Sequence, residues 1–600
     1  MSQNNLTDIT DDKPATNAVI PCGRLITQSS FTVFITNIMM ILLACKILHS
    51  LLRRIGQHRM ISDFIIGILI GNVEVFRLAL EDQAVMGIIR AGSIAFAFYL
   101  FALGLEMDPR TIIQFSGPAT KLAYAGIIST VGITLLCYVV IHYSRLDLDV
   151  INSYHALFGL AIGLASTSSP ILTRLITELK IGKSEIGRLA VHTGLANDMI
   201  CTSIMCIGVV IYGTGYRNPN SSYRANAINS VLHALFIAFE IFIISKFINP
   251  LIDVVNNRNP EGKPIRGIDL LIVSSISLLL CFGSVLLGFD ANFNAFIVGL
   301  CLPRQGRISN FLISRINFAV TTFILPLYVV LVGFSTDYRE WAEDHNHIVY
   351  KLLILGSIGV VGKLTGTVAY SIRYGLQWPE AVALGMLLNV KGYFHIFCAF
   401  GASMIDIIDL NTMMVIVVVT VGTIIPTPLV VAFIVRRARA REYERPMGLQ
   451  WCNTGGEMRI LVGLHGPQDV PLAINVMESM RGQADGFSGG LLAYMVEMVE
   501  MTDKAAASLV HRDGMDAITV TDEEIVEWRE QIGSALEVYM EEIGDGVRIR
   551  RILAVSSFDD MHEDICRSAQ ARTFKIENRI YIMALFEEIF FFGYSYSVCT

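Results

Sequence analysis

The sequence predicts a polytopic α-helical membrane protein with a smaller C-terminal α/β domain, and three observations favour this class. Of 600 residues, 53% are apolar and only 16% are charged, whereas about 25% are charged in typical soluble domains. Apolar runs of about 17–25 residues, long enough to cross a bilayer as a helix, recur between Phe31 and Val435. Residues 451–600, by contrast, contain 25 acidic and 12 basic side chains. A single soluble domain is therefore excluded, and so is a nucleic-acid-binding protein, because the pI is about 6.0 and no basic face dominates.

We predict about 13 transmembrane helices (12–13), because the ninth apolar segment is short. The first 30 residues are polar and lack a signal-peptide pattern, so the first apolar run is expected to remain as a span. This gives a polar N-terminal tail over 1–30 and a transmembrane domain over 31–435. The segments lie near residues 31–52, 58–76, 87–107, 120–142, 154–176, 187–212, 229–249, 268–288, 290–303, 316–336, 348–372, 381–404 and 411–435.

The basic residues between these segments predict the orientation of the chain in the lipid bilayer. Alternate loops contain 21 Lys and Arg residues, and the loops between them contain 7. Because basic residues accumulate on the cytosolic side of membrane proteins, the N-terminus is predicted to lie outside or in a lumen. The C-terminal region is predicted to lie in the cytosol.

The C-terminal region is predicted to contain a basic linker over 436–457 and an α/β domain over 458–600. Met458–Leu464 and Val547–Val555 have the pattern of strands, and helical patterns follow them through Met477 and over Asp559–Ala571. Strands that alternate with helices are typical of an α/β module.

No motif in the chain indicates an enzyme or a bound cofactor. The 11 cysteines form no CxxC pair, so neither a zinc site nor a disulfide framework is suggested. Gly182-Lys183-Ser184 resembles the end of a P-loop, but Thr177 stands where the first glycine is required. We therefore expect neither catalysis nor a cofactor, and an ion gradient as the energy source.

Three ionisable side chains are predicted deep inside apolar segments, where charge is costly and by default marks a functional site. Asp198 lies about 17 Å along its span, close to the middle of the bilayer, and follows Asn197. Lys363 and Lys391 occupy similar depths in later spans. The alternative for Asp198 is a structural ion pair with a lysine or arginine. Glu106 and Asp63 are weaker candidates, since carboxylates at helix ends are common.

Two of the predicted spans are interrupted near their middle. Ser166-Thr167-Ser168-Ser169-Pro170 breaks the fifth, because proline removes a helical hydrogen bond, and Asn389–Gly392 is a weaker break in the twelfth. Paired interrupted spans are the best sequence indication of a transporter site at the midplane. Two ordinary kinked helices are the alternative.

These residues resemble the plant cation/proton exchangers of the monovalent cation:proton antiporter-2 family. The resemblance covers nearly everything from Phe31 to about Ala571 and depends on an ordered set of motifs. They are Arg59–Asp63, Leu103–Asp108, Ser169–Arg174, Gly187–Ala190, Asn197-Asp198, Leu325–Tyr328, Gly362-Lys363, Leu388–Gly392, Arg459–Leu461 with His465-Gly466, and Ser557–Asp559 with Met561–Ile565.

The resemblance implies an antiporter fold of inverted repeats, a core domain that moves against a dimerising domain, and a cytosolic regulatory tail. It assigns Asn197 and Asp198 as the ion-binding pair, Lys363 as their basic partner, and Thr167–Pro170 with Asn389–Gly392 as two crossed unwound segments. It implies K⁺, or else Na⁺, exchanged for H⁺ in a plant endomembrane or plasma membrane. It also implies a homodimer and an incomplete regulatory domain, because tails in that family run beyond 600 residues.

The residues that we predict to form the transport site comprise a cation and proton site and a supporting set. The first set is Asp198, Asn197, Thr167, Ser168 and Ser169. The supporting set is Lys363, Lys391, Asn389, Glu106 and Pro170. The chain departs from the family pattern at Ser168-Ser169 and at His395, where the family commonly has glutamate.

The mechanism that we predict is competition of one proton and one cation for Asp198. Because residue 197 is Asn and not a second acid, the exchange is expected to be electroneutral, with one cation for one proton. Three alternatives stay open: a cation channel, a sensor that has lost transport, and a carrier of an organic solute. Against the channel, the sequence contains no TVGYG-like selectivity filter.

Overall fold

The computed structural model describes residues 30–593 with several gaps. The gaps are 74–81, 108–116, 144–153, 183, 218–222, 260–264, 304–305, 336–344, 405–406, 442–457, 485–490, 512–517, 544–546, 559–560, 563, 566–567, 569–579 and 587–588. The predicted N-terminal tail therefore lies outside the described residues apart from Ser30. Most of the predicted linker and of the predicted helix over 559–571 does so too.

The membrane part contains helices and no strand among its described residues. Its helices are α1 Ser30–Arg53, α2 Arg59–Asn72, α3 Asp82–Glu106, α4 Pro118–Tyr143, α5 Tyr154–Ala165, α6 Ser169–Glu178, α7 Glu185–Arg217, α8 Tyr223–Ile243, α9 Asn249–Arg258, α10 Gly267–Gly283, α11 Ala291–Cys301, α12 Arg307–Ala319, α13 Leu325–Phe334, α14 His345–Tyr374, α15 Trp378–Leu388, α16 Tyr393–Met404, α17 Leu410–Ile424 and α18 Pro426–Arg441. One π-helical turn joins α8 to α9 and another joins α12 to α13.

Each predicted span falls on one of these helices or on two consecutive ones. Within the described residues, ten helices are long and apolar enough to cross a membrane, or eleven if the bent pair α15 and α16 forms one span. The predicted multi-span class is therefore confirmed. The count of thirteen stays a prediction, because α2 has only 14 residues and α11 only 11. The inverted repeats also stay a prediction.

The helices pack into two groups. In the core bundle, α4 lies along α14, and α5, α6, α7, α15, α16, α17 and α18 surround this pair. In the flanking bundle, α2 lies along α13 and α3 along α11, next to α1, α10 and α12. Both interrupted spans belong to the core bundle, as α5 with α6 and α15 with α16.

Glycines allow the backbones of the flanking bundle to approach closely. A Cβ atom added to Gly299 of α11 would lie 2.2 Å from the Phe101 carbonyl oxygen of α3, and one on Gly104 would lie 2.4 Å from the Phe296 oxygen. Gly67 of α2 faces α13 in the same way. Small residues at such crossings allow van der Waals packing that lipid cannot replace.

The C-terminal domain contains a five-stranded sheet of order β5-β2-β1-β6-β7, parallel except for β7. The expected strands at 458–464 and 547–555 are present, and the apolar stretch 580–592, which had no predicted structure, supplies β6 and β7. The elements are β1 Met458–Leu464, α19 Val470–Ala484, β2 Leu491–Glu500, α20 Asp503–Ala507, β3 Leu509–His511, β4 Ile518–Val520, α21 Glu523–Ile543, β5 Val547–Ser556, β6 Ile580–Phe586 and β7 Ile589–Gly593.

The C-terminal domain contacts both helix bundles. Arg307 of α12 donates a hydrogen bond to Glu523 at 2.6 Å, and Lys46 of α1 pairs with Asp503. Val510 of β3 is buried in an apolar cluster with Leu312 and other residues of the flanking bundle. Strands β3 and β5 also pack against α6 of the core bundle.

The ion pair between Lys46 and Asp503 is expected to persist at every cellular pH. Burial at the contact raises the pKa of Asp503, whereas the hydrogen bond from Lys46 and the charges of Lys46, Arg174 and Arg59 lower it. The lowering is the larger effect, so the pKa of Asp503 lies below its usual value of 3.8. A carboxylate with a depressed pKa contributes stability that is lost only as the pH falls through that depressed value. The contact is therefore not a switch at physiological pH.

Candidate transport site

Two interrupted helices cross in the middle of the core bundle. The first interruption separates α5 from α6, and Pro170, which has no N–H to leave unbonded, lies in the first turn of α6. The second separates α15 from α16, whose axes differ by 45°. The Ser168 N–H donates to the Val390 carbonyl at 3.0 Å, and the Thr167 hydroxyl donates to the Leu388 carbonyl at 2.6 Å. The two segments that the sequence predicts as breaks therefore bond directly to each other.

Asp198 faces this crossing from α7, and only 2% of its surface is exposed. Its Oδ2 accepts hydrogen bonds from the Ser169 backbone N–H at 3.0 Å and from the Ser169 hydroxyl at 2.7 Å. Thr202, one turn further along α7, lies 3.5 Å from Oδ1. Ser169 is the first residue of α6, so the carboxylate sits at a helix N-terminus, which carries a partial positive charge.

The neighbouring amides complete the polar surroundings of the crossing. Asn197 is buried, and its Oδ1 lies 4.0 Å from the Cys201 thiol. Its Nδ2 has no hydrogen-bond partner within the described part of the chain, and the same holds for Oδ1 of Asn389 at the end of α15. Oxygen atoms such as that of Asn389 can replace water around a small cation.

The two lysines contact the C-terminal end of α5, whereas Asp198 contacts the N-terminal end of α6. Lys391 Nζ donates to the Leu164 carbonyl at 2.5 Å and to the Ser166 carbonyl at 3.3 Å. Lys363 of α14 donates to the Ala165 carbonyl. Among the described residues, no ion pair joins Lys363 to Asp198, although the resemblance assigns these two as partners. The lysines instead satisfy the last carbonyls of a half-helix, whose C-terminus carries a partial negative charge.

This arrangement makes Lys363 a residue that stabilises the break. We expect Lys363→Met to lower the stability of the purified protein by roughly 1–3 kcal/mol, because the Ala165 carbonyl is left buried without a donor. Thermal unfolding in detergent measures the effect. Lys121→Met, at an exposed position of α4, is the matched control, and equal melting temperatures for the two variants would contradict the assignment.

Two weaker candidates lie away from the crossing. Glu106, at the end of α3, accepts a hydrogen bond from Asn317 of α12 at 3.0 Å, so it joins two helices of the flanking bundle. Asp63 is fully buried in α2, 3.7 Å from Nε of Arg59. Within the described residues, no hydrogen bond or ion pair joins either carboxylate to Asp198.

Sequence analysis did not assign His395 to the transport site, and the structure places it between the two breaks. Its Nδ1 accepts from the Gly392 N–H at 3.1 Å, and its Nε2 lies 2.7 Å from the Ser166 hydroxyl. The departure from the family pattern at this position was the only sequence signal. Thr202 was also missed, although a residue four places after Asp198 lies on the same helix face.

A cavity of about 910 Å³ opens between the two bundles and ends at the crossing. Lys391 and His395 are among its lining residues, and Met404, Ile407 and Ile408 line it where α16 ends and α17 approaches. Because α17 starts there, and α17 and α18 together run from that end toward the C-terminal domain, the cavity lies on the face of the membrane part opposite that domain. Its wall is strongly aromatic. Six phenylalanines line it: Phe158, Phe289, Phe293, Phe394, Phe397 and Phe400.

Sequence comparison identifies the family. A family model described as "Sodium/hydrogen exchanger, transmembrane" matches residues 39–437, about two thirds of the chain. The chain belongs to this family. A second model, described as "Plant cation/H(+) antiporter domain", matches residues 493–576 of this family member, and together the two matches confirm the predicted resemblance.

Individual relatives of this exchanger-family chain come from Arabidopsis thaliana. It is 35% identical to Cation/H(+) antiporter 28 over 541 residues, which cover 87% of the chain and 65% of the relative. It is 22% identical to Cation/H(+) symporter 13, over 88% of the chain and 62% of the relative. The chain thus spans about 65% of the length of the first of these relatives.

Among solved structures, the chain is similar to the sodium proton antiporter MjNhaP1 from Methanocaldococcus jannaschii. The TM-score is 0.44 and the identity is 13%, over 68% of this chain and 97% of that one.

Proposed function

We propose that this chain exchanges monovalent cations for protons across a membrane, and that both ions compete for Asp198. One observation carries the proposal: a carboxylate is buried at the crossing of two broken helices without a basic side chain paired to it among the described residues. A charge at this depth in a bilayer is costly unless it is compensated. A proton or a dehydrated cation that occupies the site compensates it.

The charges at the crossing support this assignment. Lys363 and Lys391 bond directly to carbonyls at the end of α5, and among the described residues neither lysine forms an ion pair with Asp198. Three hydrogen bonds from Ser169 and Thr202 orient the carboxylate and leave its charge in place. Because Asn197 is neutral, one carboxylate binds one monovalent ion, and the exchange is electroneutral.

The arrangement of the bundles supports alternating access. The cavity leads to the crossing from the face opposite the C-terminal domain. On the other side, Tyr99 of α3 and Tyr393 of α16 are buried, with their ring centroids 6.5 Å apart in an edge-to-face contact. We propose that the core bundle moves against the flanking bundle and so exposes Asp198 to each side in turn.

The cation, assembly and location belong to the same proposal. The family description and the names of the Arabidopsis relatives support cation/proton exchange, and K⁺ is the first cation to test, with Na⁺ as the alternative. We propose a homodimer that assembles through the flanking bundle, transport without a cofactor or chemical conversion, and an endomembrane or plasma-membrane location.

Replacing Asp198 with Asn is expected to abolish exchange. Asparagine keeps the size of the side chain but binds neither a proton nor the charge of a cation. The measurement is cation-driven change of internal pH in liposomes that contain purified protein and a trapped pH dye, with K⁺ and Na⁺ added separately. Glu380→Gln is the matched control, because it removes a carboxylate from α15 while glutamine can still serve the capping box at the start of that helix.

Two outcomes of this experiment would overturn the proposal or part of it. Exchange by Asp198→Asn at the rate of Glu380→Gln would refute the competition site. Cation flux driven by voltage alone, at zero pH gradient, would refute the electroneutral stoichiometry. Unitary currents in a planar bilayer would instead indicate the channel that the sequence left open as an alternative.

A further inference from the structure

His395 connects both interruptions through its two ring nitrogens. The Gly392 N–H donates to Nδ1 at 3.1 Å, so Nδ1 is an acceptor. A neutral imidazole has one acceptor nitrogen and one N–H, and the proton therefore lies on Nε2. That N–H donates to the Ser166 hydroxyl at 2.7 Å. Only the neutral form of the ring can make both bonds.

A proton added to His395 removes one of these bonds. The imidazolium has an N–H at both nitrogens, so Nδ1–H would point at the Gly392 N–H that it now accepts from. Gly392 lies against the other break, because a Cβ added to it would be 2.3 Å from the Ser168 hydroxyl oxygen. Protonation thus disturbs the backbone at the place where the two breaks touch.

The charges around His395 oppose a second positive charge. Lys391 belongs to the same break and already bonds to carbonyls at the end of α5, and Lys363 of α14 bonds to the last of them. The carboxylate of Asp198, on α7, faces the start of α6 instead. From the flanking side, His233 of α8 and Asp290 before α11 line the same cavity.

Protons reach His395 from one side of the membrane. His395 and Lys391 line the cavity that opens on the face opposite the C-terminal domain. The acidity of that compartment, and not that of the compartment holding the C-terminal domain, therefore sets the charge of the ring in this conformation.

We propose that His395 is a positioning residue that holds the crossed breaks together when neutral and stops ion exchange when it takes up a proton from the cavity side. This inference deepens the proposed function and rests on it. The chemical step is the binding of one proton at Nδ1 of His395, which removes the hydrogen bond from the Gly392 N–H. The exchanger would then be limited by strong acid in the compartment that supplies its protons.

The test separates this effect from competition at Asp198. Rubidium-86 self-exchange is measured in proteoliposomes with equal pH on both sides, from about pH 7.5 to about pH 4.5, a range in which an imidazole titrates. Competition at Asp198 raises the cation concentration needed for half-maximal exchange, and saturating Rb⁺ overcomes it. Loss of the crossing lowers the maximal rate, and saturating Rb⁺ does not restore it.

The decisive variants are His395→Gln and His395→Asn, whose amides supply an acceptor and a donor but do not titrate. We expect the maximal rate of the wild type to fall about tenfold in acid and that of at least one amide variant to change less than about twofold. His233→Gln, which removes another imidazole from the same cavity, is the control and is expected to behave as the wild type.

Two results would overturn the inference: a wild-type maximal rate that is constant over the pH range, or the same acid decline in both amide variants. If both amide variants fail to fold, the acid decline of the wild-type maximal rate is compared with that of His233→Gln. A decline that His233→Gln retains supports the inference, and a decline that His233→Gln abolishes overturns it. Exchange that persists in Asp198→Asn is a separate result, which refutes the proposed function itself.

Discussion

Replacing Gly392 with alanine is expected to abolish ion exchange. The added Cβ would lie 2.3 Å from Oγ and 2.7 Å from Cβ of Ser168, and 2.8 Å from the end of Ile171. A serine Cβ cannot rotate away, so the two breaks must separate. Separation lengthens the hydrogen bond from the Ser168 N–H to the Val390 carbonyl and moves Ser169 away from Asp198. The measurement is cation-driven proton exchange in proteoliposomes.

A second change in the same contact gives this prediction a rescue test. Ser168→Gly removes both of the serine atoms that the new Cβ would strike, and the third contact, Cδ1 of Ile171, is the end of a flexible side chain that can turn aside. The double variant Ser168→Gly with Gly392→Ala is therefore expected to exchange ions at the rate of Ser168→Gly alone. Such coupling is characteristic of residues in direct contact. Gly401→Ala, which lies in α16 and has no atom within 4 Å of the added Cβ, is the control. Wild-type exchange by Gly392→Ala would contradict the crossing.

Replacing Gly299 with leucine is expected to prevent stable folding. Its Cβ would lie 2.2 Å from the Phe101 carbonyl oxygen and 3.1 Å from the Leu105 nitrogen, and backbone atoms cannot move aside without separating α3 from α11. Overpacking of a rigid contact costs about 1–3 kcal/mol and occasionally more. We expect the upper end of that range, since the whole side chain must be placed between two helices.

The yield of monodisperse protein and its melting temperature in detergent measure the effect. Gly283→Leu is the matched control, because a Cβ at Gly283 of α10 meets nothing within 4 Å. Near-normal yield and stability of Gly299→Leu would show that α3 and α11 are not in close contact. The functional assay is uninformative here, so this prediction tests the fold alone.

Sequence reasoning selected residues that the structure brings together, because membrane burial makes local signals strong. A proline after four hydroxyl residues predicts a broken helix by backbone chemistry alone. Asp198 is conspicuous because it is a carboxylate inside an apolar run, which the sequence alone shows. Both breaks and the carboxylate lie together at the crossing, although Asp198 is 29 residues from Ser169 and Thr167 is 221 residues from Leu388.

The partners of the lysines could not be predicted in the same way. A lysine inside an apolar segment shows that its charge needs compensation. It does not show whether a carboxylate or a helix terminus supplies that compensation. Lys363 bonds to a carbonyl 198 residues away, and only the packing of α14 against α5 decides that outcome. The partner of Glu106 on α12 could not be predicted for the same reason, since it has no local sequence signal.

Helix packing and the C-terminal sheet set the other limits. The glycines at the contact of α3 with α11 lie in two helices with no shared motif, so their mutual approach is invisible in one sequence. Strand β2 was missed, although Leu491–Glu500 is apolar at nearly every position, because such a run does not distinguish a strand from a buried helix. The pairing of β6 with β1 depends on contacts between residues far apart in the chain.

The C-terminal domain touches α1 and α12 on one side of the boundary between the bundles and α6 on the other. A sliding motion of one bundle past the other must therefore strain these attachments or release some of them. The first residue of α6 holds Asp198, so a pull on that domain is transmitted along a single short helix to the carboxylate. Any event that shifts the domain, such as the binding of another protein, is therefore expected to move Ser169 relative to Asp198.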